Sequence, residues 1–409
     1  MGNTQHRSRR KVLLMISLIV NLGLLSYFKY GEFFLRNFIE IAGFFGGHYQ
    51  PPEFDIILPV GISFYTFQTL SYCIDVYRNA SKPSKSFLDY ALYVTFFPQL
   101  VAGPIVRSTD FLPQCIRERR ADAVRIGWGL TLLTIGIFQK SIIADYRCAP
   151  VADQVFGSVA DAGFMAAWIG ALAFSAQIFF DFSGYSTCAI GIAMCLGFAL
   201  PDNFRFPYAS IGFRDFWRRW HISLSTWLRD YLYISLGGNR KGPKRIYFNI
   251  MVTMLIGGLW HGASWRFVLW GGLHGVFLVV ERLLEKKFGG RGYLEKTSRK
   301  IPAALLTYFL VVIVWVFFRA QDFGGAFNLI GAMLGFSESP DLILTNFRIF
   351  RVLGVTVYIL ASHWVMRDSS LEEMANRVPW PLRSLLIFIM LLSIILLPGD
   401  NRAFIYFQF

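Results

Sequence analysis

Histidine is the side chain best suited to moving a proton near neutral pH. Three of the six in this sequence, His221, His261 and His274, crowd into one stretch of the chain. His261 closes the apolar run MVTMLIGGLW and precedes Gly262-Ala263-Ser264-Trp265. An ionisable side chain at the end of such a run is costly unless it lines a cavity or a pathway. Gly257 and Gly258, one turn earlier, permit close helix approach or local unwinding that could open such a cavity. If 246–261 is helical from the basic edge at Arg245, His261 lies about 24 Å from that edge, deep in a bilayer. His274 falls midway along the next apolar segment. No short His-x-x-x-His element joins the three and carboxylates nearby are few, so neither a metal nor haem is expected. His6 and His48 lie in terminal or loop contexts, and His363, alone in an apolar span, reads as a packing histidine.

Between His221 and the preceding apolar segment the chain turns basic and aromatic. The stretch 201–245 reads PDNFRFPYASIGFRDFWRRWHISLSTWLRDYLYISLGGNRKGPKR. It is too polar to span a bilayer, and aromatics mixed with Arg suit the membrane–water interface. Asp215 and Arg219 stand four apart, as do Ser223 and Trp227, which predicts a short interfacial amphipathic helix. Gly237-Gly238-Asn239 supplies a turn. Arg218, Arg219 and Arg229 carry guanidinium groups suited either to phosphates of a ligand or to lipid headgroups. Asp181, inside an apolar segment, is either paired structurally or part of the chemistry.

The elements that must position these residues follow from composition. Of 409 residues 55% are hydrophobic, 17% aromatic and only 16% charged, whereas a soluble domain carries roughly a quarter charged residues. Apolar segments of membrane length recur at 12–30, 54–74, 87–106, 124–144, 163–182, 185–200, 246–263, 265–281, 302–319, 350–366 and 382–398, with a shorter Gly-rich one at 324–336. The expected fold class is therefore all-α, a polytopic transmembrane helical protein forming one membrane-embedded domain over 1–409, since an open sheet cannot satisfy its edges in lipid. Within it, 201–245 is the interfacial segment and 246–281 a helix pair carrying His261. The net charge of +14 reflects Lys and Arg in cytoplasmic loops beside anionic lipid, not nucleic-acid binding. The basic start and the apolar stretch 12–28 lack the small residues of a cleavage site, so this segment reads as an uncleaved span. With His6 where Ser or Thr is required, no myristoyl anchor is implied. Five cysteines without a Cys-x-x-Cys pair give no disulfide framework.

Four blocks, in order, carry a resemblance. FPQLVAGPI (97–105), QIFFDFSGYS (177–186), FWRRWHISLS (216–225) and GLWHGASW (258–265) resemble signatures of the membrane-bound O-acyltransferase superfamily, and in particular its bacterial alginate O-acetyltransferase branch. The similarity extends from about Asn21 to Gly275. The resemblance implies a helical shell around a central tunnel, with His261 as the essential intramembrane histidine and His221 at the second characteristic polar position. It implies an acetyl group taken from a cytoplasmic donor, acetyl-CoA, as substrate with no resident cofactor. The acetyl group would cross the bacterial inner membrane to an exported polysaccharide such as alginate, through a periplasmic partner with an SGNH-type, serine-hydrolase-like fold. His261 would then accept the proton of the attacking hydroxyl, and His221 would orient it or help bind the donor. Trp260, Ser223, Asp181 and the three arginines would line the substrate-binding surfaces.

The sequence departs from the pattern at Gln139-Lys140, where relatives often show two lysines, and at Thr187-Cys188, where Asp-Met is usual. Relatives usually carry about two further spans before the Asn21 region. A transporter or flippase, or a scaffold of a polysaccharide export complex, would also suit the helices and the cationic face. Against transport, no internal repeat is visible.

Overall fold

The computed structural model describes residues 7–47, 49, 57–116, 118–290, 293–294, 296–337, 344–397 and 402–405. His6, His48 and Arg117 lie outside the described residues, as does part of the basic stretch 282–300. Among those described, every regular element is helical. Six helical stretches are long and apolar enough to cross a membrane, so the all-α polytopic expectation holds.

The chain opens with α1 (Arg7–Phe44), which packs on α2 (Ile62–Tyr77). The expected span 87–106 is instead broken. α3 (Phe87–Thr95) ends before α4 (Phe97–Leu100), because Pro98 lacks the N–H that would continue the helix and its ring clashes with the preceding turn. After α5 (Ser108–Cys115), α6 (Ala123–Ile137) runs without interruption through a π-helical stretch, Phe138–Cys148, into α7 (Ala149–Gly157). Pro150, near the start of α7, removes another N–H, and a wider turn ahead of it absorbs the loss.

The expected pair 163–182 and 185–200 is one helix, α8 (Phe164–Cys195), most of it buried as the central post of the fold. Gly184 does not break it. It serves packing: Gly129 and Gly136 of α6 lie against Gly191 and Gly184 of α8. A Cβ on Gly136 would stand 2.5 Å from the Gly184 carbonyl oxygen. Small residues seven apart on both antiparallel helices let the two backbones touch.

The segment after α8 also differs from expectation. It forms two short helices, α9 (Phe213–Arg219) and α10 (Ile222–Trp227), not one amphipathic helix on the surface. Asp215 and Arg219 do pair at 2.8 Å, but Ser223 and Trp227 belong to the second helix. The break is at His221, whose φ of 43° places it in the left-handed region. The segment turns inward, burying Phe216, Trp220, His221, Leu224 and Trp227. Burial raises the Asp215 carboxyl, but the Ile211 N–H, Arg367 and Arg219 outweigh it and hold the group below its ordinary value.

A second π stretch, Leu228–Tyr233, and a glycine turn lead to α11 (Gly242–His261). α12 (Trp265–Lys287) returns along it, so the out-and-back pair is formed. Gly258 and Gly271 make the crossing: a Cβ on Gly271 would sit 2.2 Å from the Met254 carbonyl oxygen. α13 (Thr297–Arg319), α14 (Phe323–Met333), α15 (Asn346–Met366), α16 (Leu371–Arg377) and α17 (Trp380–Leu396) complete the shell. α14 corresponds to the shorter Gly-rich segment and is capped by the Asp322 side chain.

Candidate active site

His261 is the last residue of α11 and is 4% exposed. Its ring is enclosed edge-on by Trp270 at 5.0 Å and Phe318 at 5.4 Å, with Trp260 at 5.1 Å. Aromatic faces of this kind orient an imidazole without spending its nitrogens. The turn that carries it is held from α1. Lys29 Nζ donates to the Trp260 carbonyl at 2.5 Å and to Ser63 Oγ at 3.1 Å, and Tyr30 OH donates to the Leu259 carbonyl at 3.0 Å. The last carbonyls of a helix have no partner within it. Here two side chains supply partners and fix where α11 stops.

His221 is fully buried, with its ring centroid 6.5 Å from that of His261 and 6.0 Å from Trp260. Phe182 of α8 presses on it edge-to-face at 4.6 Å. Its Nδ1 lies 3.1 Å from Asn203 Oδ1. The structure thus brings together His221, His261 and Trp260, although forty residues of chain separate the first two.

Two cavities lie near this pair. One, of about 540 Å³, is lined by Arg214, Arg218, Arg229 and Arg282 among Ile222, Ser225, Tyr233 and Ile250. Ile222 follows His221 directly. The other, of about 260 Å³, is lined by Lys29, Ser63, Phe64, Val101, Trp260 and His261 itself. Ile250 and Trp260 lie ten residues apart on α11, so the two cavities are separated by about 15 Å along that helix. The cationic cavity is the surface suited to a phosphorylated ligand. Its wall is stiffened by Asp230, which pairs with Arg229 at 2.6 Å and with Arg107 at 2.7 Å. Burial raises the Asp230 carboxyl, but these two guanidinium groups outweigh it and leave it below its ordinary value.

The sequence model of the membrane-bound O-acyltransferase family matches residues 78–289. The chain belongs to that family. It is 43% identical over 326 residues to a protein of Azotobacter vinelandii named probable alginate O-acetylase, covering 80% of this chain and 63% of that protein. To a Pseudomonas putida protein of the same name it is 38% identical, over 97% of this chain and 84% of the relative. To the peptidoglycan O-acetyltransferase of Helicobacter pylori it is 35% identical, over 99% and 84%. The chain is thus a multi-pass membrane member of an O-acyltransferase family, and the matched residues run from the end of α2 to just past the end of α12.

Within this O-acyltransferase frame the other sequence candidates fall into different places. Arg218 and Arg229 are exposed and line the cationic cavity. Arg219 is turned away from it, held by Asp215 and by the Arg367 carbonyl at 2.8 Å. Ser223 Oγ accepts from the Ile105 N–H at 3.0 Å and donates to Asn203 Oδ1 at 2.9 Å, which ties the FPQLVAGPI block to the His221 loop. Asp181 pairs with Lys140 and accepts the Ile405 N–H at 3.0 Å, in a buried cluster with Asp145. His274 is boxed by Phe216, Trp217 and Trp270. His363 Nδ1 accepts the Tyr208 N–H at 3.2 Å.

Sequence reading missed Lys29, Asn203, Arg214 and Arg282. A lysine within an apolar span was itself a signal for Lys29. Nothing local marked Asn203, whose partners are distant in the chain.

Proposed function

We propose that this protein transfers an acetyl group from acetyl-CoA to a hydroxyl on the opposite side of a bacterial inner membrane, for O-acetylation of an exported glycan. The single observation that supports this reading is the placing of the buried His221–His261 pair, with Ile222, next to His221, lining a cationic cavity and His261 itself lining a second cavity about 15 Å away along α11. In this reading the CoA phosphates lie against Arg218, Arg229 and Arg282, with Arg214 behind them, and the thioester reaches toward the histidines. The acceptor hydroxyl enters beside Lys29 and Trp260. His261 accepts the hydroxyl proton as the oxygen attacks the thioester carbonyl. The tetrahedral adduct collapses, the C–S bond breaks, and the sulfur leaves as CoA thiol with the proton that His261 held. General-base assistance of this kind contributes roughly 10²–10⁴-fold. The names of the relatives, alginate O-acetylase and peptidoglycan O-acetyltransferase, support acetyl as the group and a glycan as the destination; in this reading the group reaches the glycan by way of a periplasmic SGNH-type partner or directly.

The test is transfer of labelled acetyl from acetyl-CoA in membranes holding matched amounts of wild type, His261→Ala or His221→Ala. Loss of transfer by about two orders of magnitude or more in His261→Ala is expected. Undiminished transfer overturns the mechanism and favours a transport or scaffold role.

A further inference from the structure

Asn203 lies in the linker between α8 and α9, outside the blocks that carry the family resemblance, yet it holds the His221–Ser223 turn through both its main chain and its side chain. Its carbonyl accepts the Ile222 N–H at 2.9 Å, which holds the backbone next to the left-handed His221. Its side-chain Oδ1 gathers three groups: the Ser223 N–H at 3.3 Å, Ser223 Oγ at 2.9 Å and His221 Nδ1 at 3.1 Å. The amide Nδ2 donates to Ser186 Oγ at 3.1 Å.

These contacts settle the orientation of the amide. A backbone N–H can only donate, so the atom facing Ser223 N is the oxygen. Ser223 Oγ already accepts the Ile105 N–H, which leaves its own proton free for the same oxygen. A carbonyl oxygen accepts and never donates, so a neutral His221 must carry its proton on Nδ1. Its Nε2 is then the bare nitrogen. That nitrogen is buried and has no hydrogen-bond partner among the described residues. Phe182 fixes the ring plane from the side.

We propose that Asn203 is a positioning residue that locks His221 in the Nδ1–H tautomer, so that His221 offers the substrates a hydrogen-bond acceptor and has no proton to give to the leaving thiolate. The division of labour between the two histidines follows. His261 carries the proton from hydroxyl to sulfur, and His221 Nε2 accepts a hydrogen bond from a donor group on the bound substrate. The pantetheine amide N–H is the donor within the chemistry of the cationic cavity, which borders Ile222. The tautomer rests on the structure alone, whereas its use rests on the reading of the protein as an acetyl-CoA-dependent transferase.

Two experiments separate those levels. In lipid-reconstituted full-length protein labelled with ¹⁵N-histidine, the ring signals lost in His221→Gln belong to His221. A protonated Nδ1 and a bare Nε2 are expected in wild type and in Asn203→Asp, which keeps the acceptor oxygen, and a mixture or the reverse in Asn203→Leu. A protonated Nε2 in wild type overturns the inference whatever the enzyme does. In the acetyl-CoA assay, at matched membrane levels, Asn203→Leu is expected to lose about 10–100-fold, the scale on which metal-binding histidines suffer when the partner that orients them is removed. Asn203→Asp is expected to recover most of that loss. Equal activity of wild type and Asn203→Leu, or an Asp variant as impaired as the Leu variant, overturns the positioning role. Absence of turnover in wild type with the expected ¹⁵N pattern overturns the functional reading and leaves the tautomer standing.

Discussion

Replacing Gly271 by Ala tests whether the α11–α12 contact sets the site. The added Cβ would meet the Met254 carbonyl oxygen at 2.2 Å and the backbone of Gly258 at 3.0 Å. All of these are main-chain atoms that no rotamer change can move. Ordinary contact begins near 3.4 Å, so the helices must part by about 1.2 Å in a close-packed interior. Overpacking of this kind costs about 1–3 kcal/mol. The functional cost is larger than the stability cost, because Trp270 precedes Gly271 and packs against His261. A misplacement of about 1 Å at reacting groups lowers a rate by about 10². The control is the next residue: a Cβ on Gly272 meets only the flexible Leu255 Cδ2, at 3.2 Å. Acetyl transfer and thermal melting in detergent, measured on both variants, give the comparison. Gly271→Ala should lose most of its activity while still inserting, and Gly272→Ala should stay within about twofold of wild type. Full activity in Gly271→Ala would refute the argument that this crossing holds His261.

Three further outcomes follow from the same geometry. Arg282→Glu and Arg218→Ala should raise KM for acetyl-CoA, about tenfold or more for the charge reversal, with a smaller change in kcat, because these groups line the cationic cavity away from the reacting atoms; an unchanged KM would remove them from donor binding. Lys29→Met should lower kcat by about 10-fold or more by releasing the Trp260 carbonyl, whereas Lys29→Arg, which can still donate, should retain more activity in the same assay. Asp215 and Asp230 are held below their ordinary values in the fold, so they stabilise it fully above the unfolded carboxylate range near 4. That stabilisation should fade as pH falls through their folded values, and melting curves from pH 7 to 3 should show Asp215→Asn and Asp230→Asn losing less stability on acidification than wild type.

The sequence by itself determined the class of the protein and singled out the histidines that the fold buries together. Apolar segments too long for a soluble fold required helices in lipid, and His261 stood out because an ionisable group at the end of such a segment needs a reason. Gly257-Gly258 announced a close helix crossing, and Gly258 makes it. These features are local, set by a run of neighbours along the chain. Tertiary structure decided what depends on partners far away. The fusion of 163–182 with 185–200 into α8 rests on Gly129 and Gly136, some fifty residues earlier, which turn a helix-weakening glycine into a packing surface. The break of 87–106 was signalled by Pro98, but the inward turn of 201–245 was not. Its aromatics read equally well as an interfacial face until Phe182, Trp270 and Trp315 supply an interior for them. Arg219 and Arg218 are adjacent in sequence and alike in type, yet one is consumed by Asp215 and Arg367 while the other faces the cationic cavity. Lys29 and Asn203 acquire meaning only from the carbonyl and imidazole they meet. Hydrogen bonds and close contacts between distant segments are set by the packing of whole helices, and periodicity along one segment carries no record of its partner.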